Sequence, residues 1–125
     1  MIERVRVRLM QRIAAESAQQ TTAVPAGPDG WLPLLPGIER KLLHEQNGIV
    51  SCLLSFTAGT ALPAHAHPVD EEYVVLSGTL RIGAIVLGPG SYLRVPAGAR
   101  AAALIAQDAA LVYIRGMLPG PGHPV

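Results

Sequence analysis

The chain has 125 residues, of which 50% are hydrophobic and 15% are charged, which suits one domain with a buried core. Its formal net charge of +1 excludes the strongly basic surface on which nucleic-acid binding depends. The single cysteine, Cys52, excludes an intrachain disulfide, and no apolar run reaches the roughly 20 residues that span a bilayer. We therefore expect a soluble, cytoplasmic protein with no direct nucleic-acid or membrane partner.

The chain is predicted to open with a helical segment over residues 1–20, followed by a linker over residues 21–30. Four apolar residues recur at helical spacing near the start: Ile2, Val5, Leu9 and Ile13. Residues 5–9 also alternate as a strand would, so the helix competes with a strand there. Prolines and glycines punctuate the linker and return in residues 117–125, which we expect to form a flexible tail.

Residues 31–116 are expected to form one all-β domain. Short apolar runs alternate there with turns that contain glycine or proline, at intervals of about 8–12 residues. The predicted strands span residues 38–44, 49–56, 71–77, 80–87, 91–95, 101–106 and 110–115. Asn47-Gly48 predicts a hairpin turn because both residues accept a positive φ. Many short strands and no helix after residue 20 indicate an antiparallel sandwich or small barrel, with Cys52 buried in its core.

Two histidines and a glutamate form the candidate site. His65 and His67 are one residue apart, so both side chains fall on the same face of an extended segment. Glu71 follows after a turn that contains Pro68 and Asp70, and its carboxylate can swing back toward that face. Two imidazoles and a carboxylate make a three-ligand site for a first-row transition metal.

The same residues resemble a known family. Gly59, His65, His67, Glu71 and Gly78 occupy every position of the first cupin motif. A second motif is matched by Gly90, Pro96 and Gly98, but Ala101 stands at its histidine position. Over residues 31–115 the chain is most similar to the ChrR-like cupin domain of bacterial zinc-dependent anti-sigma factors. The resemblance implies a double-stranded β-helix, a jelly-roll barrel, with the ligands of the first motif pointing inward.

The resemblance also implies that His65, His67 and Glu71 bind a divalent metal, with zinc expected first and iron, manganese or nickel as alternatives. Ala101 cannot ligate, so the fourth ligand of the family is missing. Three outcomes stay open: a three-ligand site with free positions for water or a small molecule, a site that holds no metal, or a site completed by a substitute donor. The substitutes considered are Glu72, Gln107, Asp108 and the partner's His44.

For function, we expect a regulatory or sensing protein that binds a metal or a small molecule, related to the ChrR-like domains and so to transcription regulation. A homodimer is expected. The sigma-binding zinc domain of those anti-sigma factors has no counterpart among these residues, so direct inhibition of a sigma factor is not implied. The alternative is a metal-dependent enzyme, a dioxygenase, isomerase or hydrolase, that uses the open site. A third possibility is a protein without metal that serves only in interactions.

Further residues are expected to line the cavity around this site. Tyr73 and Val75 share strand parity with Glu71, so we expect them to point inward as well. Arg94 and Arg100 lie near the expected mouth and can hold an anionic ligand, although solvated surface arginines fit the same pattern. The sequence assigns no catalytic residue.

Overall fold

The computed structural model describes residues 20–117, within which the chain forms ten β-strands. The strands are β1 (Trp31–Leu35), β2 (Ile38–Gln46), β3 (Ile49–Phe56), β4 (Ala61–Leu62), β5 (Glu71–Ser77), β6 (Leu80–Ile82), β7 (Ile85–Leu87), β8 (Tyr92–Val95), β9 (Leu104–Ala106) and β10 (Ala110–Gly116). The predicted all-β fold is confirmed. The helix predicted for residues 1–20 and the tail predicted for residues 117–125 fall, but for one residue each, outside the described range.

The strands form two antiparallel sheets. The larger has the order β1-β2-β3-β10-β5-β8, and the smaller has the order β4-β9-β6-β7. Leu54 and Val112 of the larger sheet and Leu80 and Leu104 of the smaller belong to one buried apolar cluster. Two sheets that share one core match the predicted barrel. Across residues 20–117, no helix has the length and hydropathy needed to cross a membrane.

Strand β3 shows how the sequence specifies this core. Its residues alternate between buried and half-buried positions along the whole strand, as expected for a central strand with one face inward. Phe56 and Leu54 are fully or almost fully buried, and each such side chain contributes about 1.5–3 kcal/mol of transfer free energy. Cys52 lies among them, and burial raises the pKa of its thiol to about 12. Cys52 is therefore a protonated core residue, as predicted.

One hairpin turn was predicted correctly from the sequence, and a second one was missed. Asn47 and Gly48 have φ values of 54° and 79° and join β2 to β3 in the predicted two-residue hairpin. By contrast, the single strand predicted over residues 80–87 is wrong, because β6 and β7 pair antiparallel there with Ile82 opposite Ile85. Gly83, with a φ of 57°, reverses the chain between them.

Gly78 fixes the strand that carries the site. It follows β5 with a φ of 77°, and a Cβ at this position would collide with the backbone of Ala109 and Ala110. Only glycine permits this close approach without strain. The turn therefore locks the end of β5 against the start of β10, and the beginning of β5 presents Glu71 to the core.

Candidate metal centre

Backbone pairing holds the two histidines in place. His65 and His67 lie in the segment between β4 and β5. The N–H of His65 donates to the carbonyl of Ala101 at 3.2 Å, and the N–H of Ala101 donates back at 2.8 Å. The N–H of Gly98 donates to the carbonyl of His67 at 2.8 Å. Residues 65–67 are therefore held as an extended segment against residues 98–101, and the two imidazole centroids are 5.0 Å apart.

The three predicted residues come together. One ligand atom from each of His65, His67 and Glu71 lies within 4.8 Å of the other two. His65 Nε2 is 3.0 Å from one oxygen of Glu71 and 3.2 Å from the other. Glu71 is 1% exposed and His65 is 9% exposed, and His67 is half-buried, so the three donors are largely shielded from solvent. Histidine nitrogens and a carboxylate are ligands that suit zinc and other first-row metals, so these residues fit a metal ion.

The protonation of His65 follows from its two partners. Its Nδ1 lies 2.9 Å from the carbonyl of Pro63, which can only accept, so Nδ1 donates and the neutral tautomer leaves a lone pair on Nε2. The hydrogen bond to Glu71 raises the pKa of His65, and burial opposes this. Without metal, this raised pKa favours a second proton, on Nε2, that is shared with the carboxylate. The Pro63 carbonyl accepts a hydrogen bond from Nδ1 and so fixes the orientation of the ring. Metal-binding histidines are commonly oriented by such a hydrogen bond from their second ring nitrogen.

Tyr73 joins the group through its hydroxyl. It follows Glu71 by two residues on β5, points to the same face as predicted, and is 3% exposed. Its hydroxyl donates to Glu71 Oε2 at 3.1 Å and lies 3.2 Å from His65 Nε2. Burial, reinforced by the Glu71 carboxylate, raises the pKa of the phenol well above its usual range. Strand parity predicted that Tyr73 points inward, but no local pattern predicted its contact with His65 and Glu71.

Gly116 makes room for Glu71, and sequence reasoning missed this as well. A Cβ on Gly116 would lie 2.8 Å from Cγ of Glu71 and 3.3 Å from its Cα. Gly116 ends β10, the strand that pairs with β5, so the two backbones approach closely at this point. The only signal in the sequence is a glycine at the end of an otherwise apolar strand.

The residue opposite His65 is Ala101, which is 8% exposed. Residues that exchange both backbone hydrogen bonds in an antiparallel pair carry their side chains on the same face. The position that lacks the second-motif histidine therefore faces the site with only a methyl group.

Three of the possible substitute donors make contacts with residues outside the site. Glu72 accepts a hydrogen bond from the hydroxyl of Tyr92 at 2.7 Å, and Asp108 accepts from the N–H of Thr79. His44 is exposed and its imidazole faces Gln46. Within the described residues, His65, His67 and Glu71 form the group of histidine, cysteine and carboxylate side chains that fits a metal, and Glu72 and Asp108 are not members of it.

Asp70 clamps the rim of the site. One of its oxygens accepts from the N–H of Ala97 and the other from the guanidinium of Arg94, both at 2.8 Å. These two contacts, the backbone one first, lower the pKa of the Asp70 carboxyl. Arg94 is half exposed and paired, so its guanidinium serves to tie the two site segments together at the surface.

The sequence and the fold were compared with known proteins. Residues 18–119 match the family model of the ChrR Cupin-like domain. No curated protein gives a significant match. Among solved structures, the acetylacetone dioxygenase from Acinetobacter johnsonii has a TM-score of 0.69 at 17% sequence identity, with 78% of this chain and 74% of that chain covered.

Two further solved structures show the same fold. A chain of the complex between Rhodobacter sphaeroides SigE and the anti-sigma ChrR has a TM-score of 0.62 at 16% identity, with 90% of this chain and 80% of that chain covered. KdgF from Halomonas sp. has a TM-score of 0.63 at 19% identity, with 71% of this chain and 88% of that chain covered. The functions in these names differ, so the likeness establishes the fold and leaves the activity to be argued from the site.

Proposed function

Because the chain belongs to the ChrR cupin-like domain family, we propose that it binds one divalent metal ion through His65, His67 and Glu71. Zinc is the first candidate, because imidazole and carboxylate ligands suit it and it imposes no particular geometry. The observation that carries the proposal is the convergence of the three donor atoms within 4.8 Å of one another. The contact of His65 Nδ1 with the Pro63 carbonyl supports it, because that contact orients Nε2 toward the other donors.

A metal bound there supplies a Lewis acid with exchangeable positions for water or a small molecule. The chain's own residues perform the remaining tasks. Glu71 brings the negative charge that a buried cation needs, and Gly116 leaves the space in which its carboxylate lies. The methyl group of Ala101 leaves access beside His65. These features support a site that takes up a metal and a small ligand reversibly.

A regulatory or sensing role is the function we favour. Its support is the family to which the chain belongs and the structural likeness to a complex of SigE with the anti-sigma ChrR. In such a role, occupancy of the site changes how the barrel meets a protein partner. A homodimer and a cytoplasmic location complete the proposal. Exposed apolar side chains support association: Leu32, Leu76, Ile85, Val86 and Tyr92.

The second candidate is a metal-dependent enzyme. It is favoured by one feature, the alanine opposite His65, because open coordination positions are what metal-dependent oxygenases and hydrolases use. Gene neighbourhood separates the two candidates: a sigma-factor gene beside this one favours regulation, and a catabolic operon favours catalysis.

The metal proposal is tested on chelator-treated protein offered zinc, iron, manganese and nickel separately, with bound metal measured by elemental analysis. We expect one equivalent of zinc for the wild type and none for His65→Ala. His44→Ala is the matched control, because His44 is an exposed imidazole outside the group, and it should bind as the wild type does. Wild-type protein that retains none of the four metals contradicts the proposal.

A further inference from the structure

We propose that Tyr73 supplies the fourth protein ligand of the metal, in the role left open by Ala101. This inference rests on the proposed metal binding and adds a donor from β5, the strand that already carries Glu71. The protein would then supply two imidazole nitrogens, one carboxylate oxygen and one phenol oxygen, and water or a small molecule would bind by expansion to a fifth position.

The distances around the Tyr73 hydroxyl fit this role. Two donors bound at zinc distances in tetrahedral or octahedral geometry are about 2.9–3.4 Å apart. The Tyr73 oxygen lies 3.1 Å from Glu71 Oε2 and 3.2 Å from His65 Nε2, and His65 Nε2 lies 3.0 Å from Glu71 Oε1. Three candidate donors therefore already stand at ligand spacing. Without metal these contacts are hydrogen bonds.

A comparison of the three tyrosines shows that this placement is particular to Tyr73. The hydroxyl of Tyr92 donates to Glu72 at an exposed position, and that of Tyr113 donates to Ser51 on the outer face of the large sheet. The hydroxyl of Tyr73 is instead buried, and both of its hydrogen-bond partners are proposed ligands. A buried tyrosine hydroxyl ordinarily finds a hydrogen-bond partner, and for Tyr73 both partners are side chains of the proposed metal site.

Charge favours the same assignment. Zinc with two neutral imidazoles and the Glu71 carboxylate keeps a net charge of +1. A phenolate from Tyr73 brings the complex to zero charge, and burying a neutral complex costs less desolvation free energy than burying a charged one. On binding, the oxygen–zinc bond replaces the O–H bond of Tyr73, and its proton passes to the buffer.

The test follows zinc binding to the full chain by ultraviolet difference spectroscopy, because conversion of a phenol to a phenolate gives a characteristic difference band. We expect the band to grow with zinc to one equivalent in the wild type. Tyr73→Phe keeps the ring and its packing but should give no band, and its zinc affinity should fall at least about tenfold. Tyr113→Phe is the control, and it should keep both the band and the affinity. Thermal melting of each variant checks that it is folded.

The possible results distinguish the role of Tyr73 as a ligand from metal binding itself. Wild-type protein that binds zinc without a phenolate band overturns the role of Tyr73 but leaves the three-ligand metal site standing. A band that survives in Tyr73→Phe also overturns it, since another tyrosine would then be responsible. If the wild type binds no zinc at all, this inference and the proposed function fail together.

Discussion

The two segments that meet at the site contribute in different ways. Residues 65–71 carry two imidazoles and a carboxylate, whereas residues 96–101 carry no ligand side chain and act through their backbone. The second segment still binds the first through the Ala101, Gly98 and Ala97 N–H groups. With Ala101 in place of a histidine, this segment offers no side-chain donor but still holds the backbone of the first. The backbone architecture of the site and its ligand set are therefore separable.

The largest effect is expected from Glu71→Gln, which keeps the shape of the side chain and removes its charge. Zinc affinity should fall by more than about 100-fold, because a ligand and the neutralising charge are lost together. A competition titration against a chromogenic chelator measures this. Glu72→Gln is the control on the opposite face of the same strand. Equal zinc affinity in both variants would show that Glu71 is not a ligand.

Ala101→His should instead increase zinc affinity, because it restores a donor side chain to residues 96–101. Ala101→His places an imidazole opposite His65, and zinc affinity should rise by about 10–100-fold in the Tyr73→Phe background, where the fourth position is free. In the wild-type background the gain should be smaller. Calorimetry on the single and double variants gives the difference. An equal gain in both backgrounds would argue that Tyr73 does not occupy the fourth position.

Acidification should weaken zinc binding, because a proton competes for His65 Nε2. The hydrogen bond to Glu71 raises the pKa of His65 above the 6.5 of an unperturbed imidazole. Below that raised pKa, zinc affinity should fall by about tenfold per pH unit for each competing proton. Zinc titrations from pH 8 down to about pH 5 test the slope, and a pH-independent affinity would contradict ligation by histidine.

The metal-free protein should show the reverse trend in stability. Since the folded-state pKa of His65 is raised, its stabilising contribution is fully present below the unfolded pKa of 6.5 and is lost as pH rises through the folded pKa. Urea unfolding of chelator-treated protein, compared with His65→Gln at each pH, isolates this contribution. A His65-dependent gain in stability toward alkaline pH would contradict the hydrogen-bond arrangement described above.

Smaller losses of stability and zinc affinity are expected from Gly116→Ala, at the point where β10 lies against Glu71. Gly116→Ala brings a Cβ to 2.8 Å from Cγ of Glu71, so the carboxylate must shift. Overpacking of this kind should lower the free energy of unfolding by about 1–3 kcal/mol and zinc affinity by several-fold. Gly88→Ala is the control, because a Cβ there meets nothing within 4 Å. Unchanged zinc binding in Gly116→Ala would show that the position of Glu71 is not critical.

The smallest effect is expected at the rim. Asp70→Asn weakens the clamp to Arg94 and Ala97 without touching a ligand. The pair is exposed, and exposed ion pairs contribute little, so zinc affinity should fall by only about twofold to threefold. Isothermal calorimetry at low and moderate salt measures it. A loss as large as that of Glu71→Gln would mean that the second segment does more than hold the backbone.

The sequence predicted local features well and long-range contacts poorly. Spacing of residues 65, 67 and 71 was sufficient to predict that their side chains converge, and alternation predicted β3, β5 and β10. The hairpin at Gly83 was missed because a glycine inside an apolar run resembles a strand until its φ is known. The roles of Gly116 and of the Pro63 carbonyl depend on which strands and loops become neighbours, and no local pattern contains that information.

The most direct test of the metal centre is anomalous diffraction at the zinc absorption edge, from crystals of zinc-loaded protein. We expect one strong anomalous peak inside the barrel, within bonding distance of His65, His67 and Glu71, with the Tyr73 oxygen completing the ligand set. A peak only at the surface, for example beside His44, or no peak between the three side chains, would contradict it.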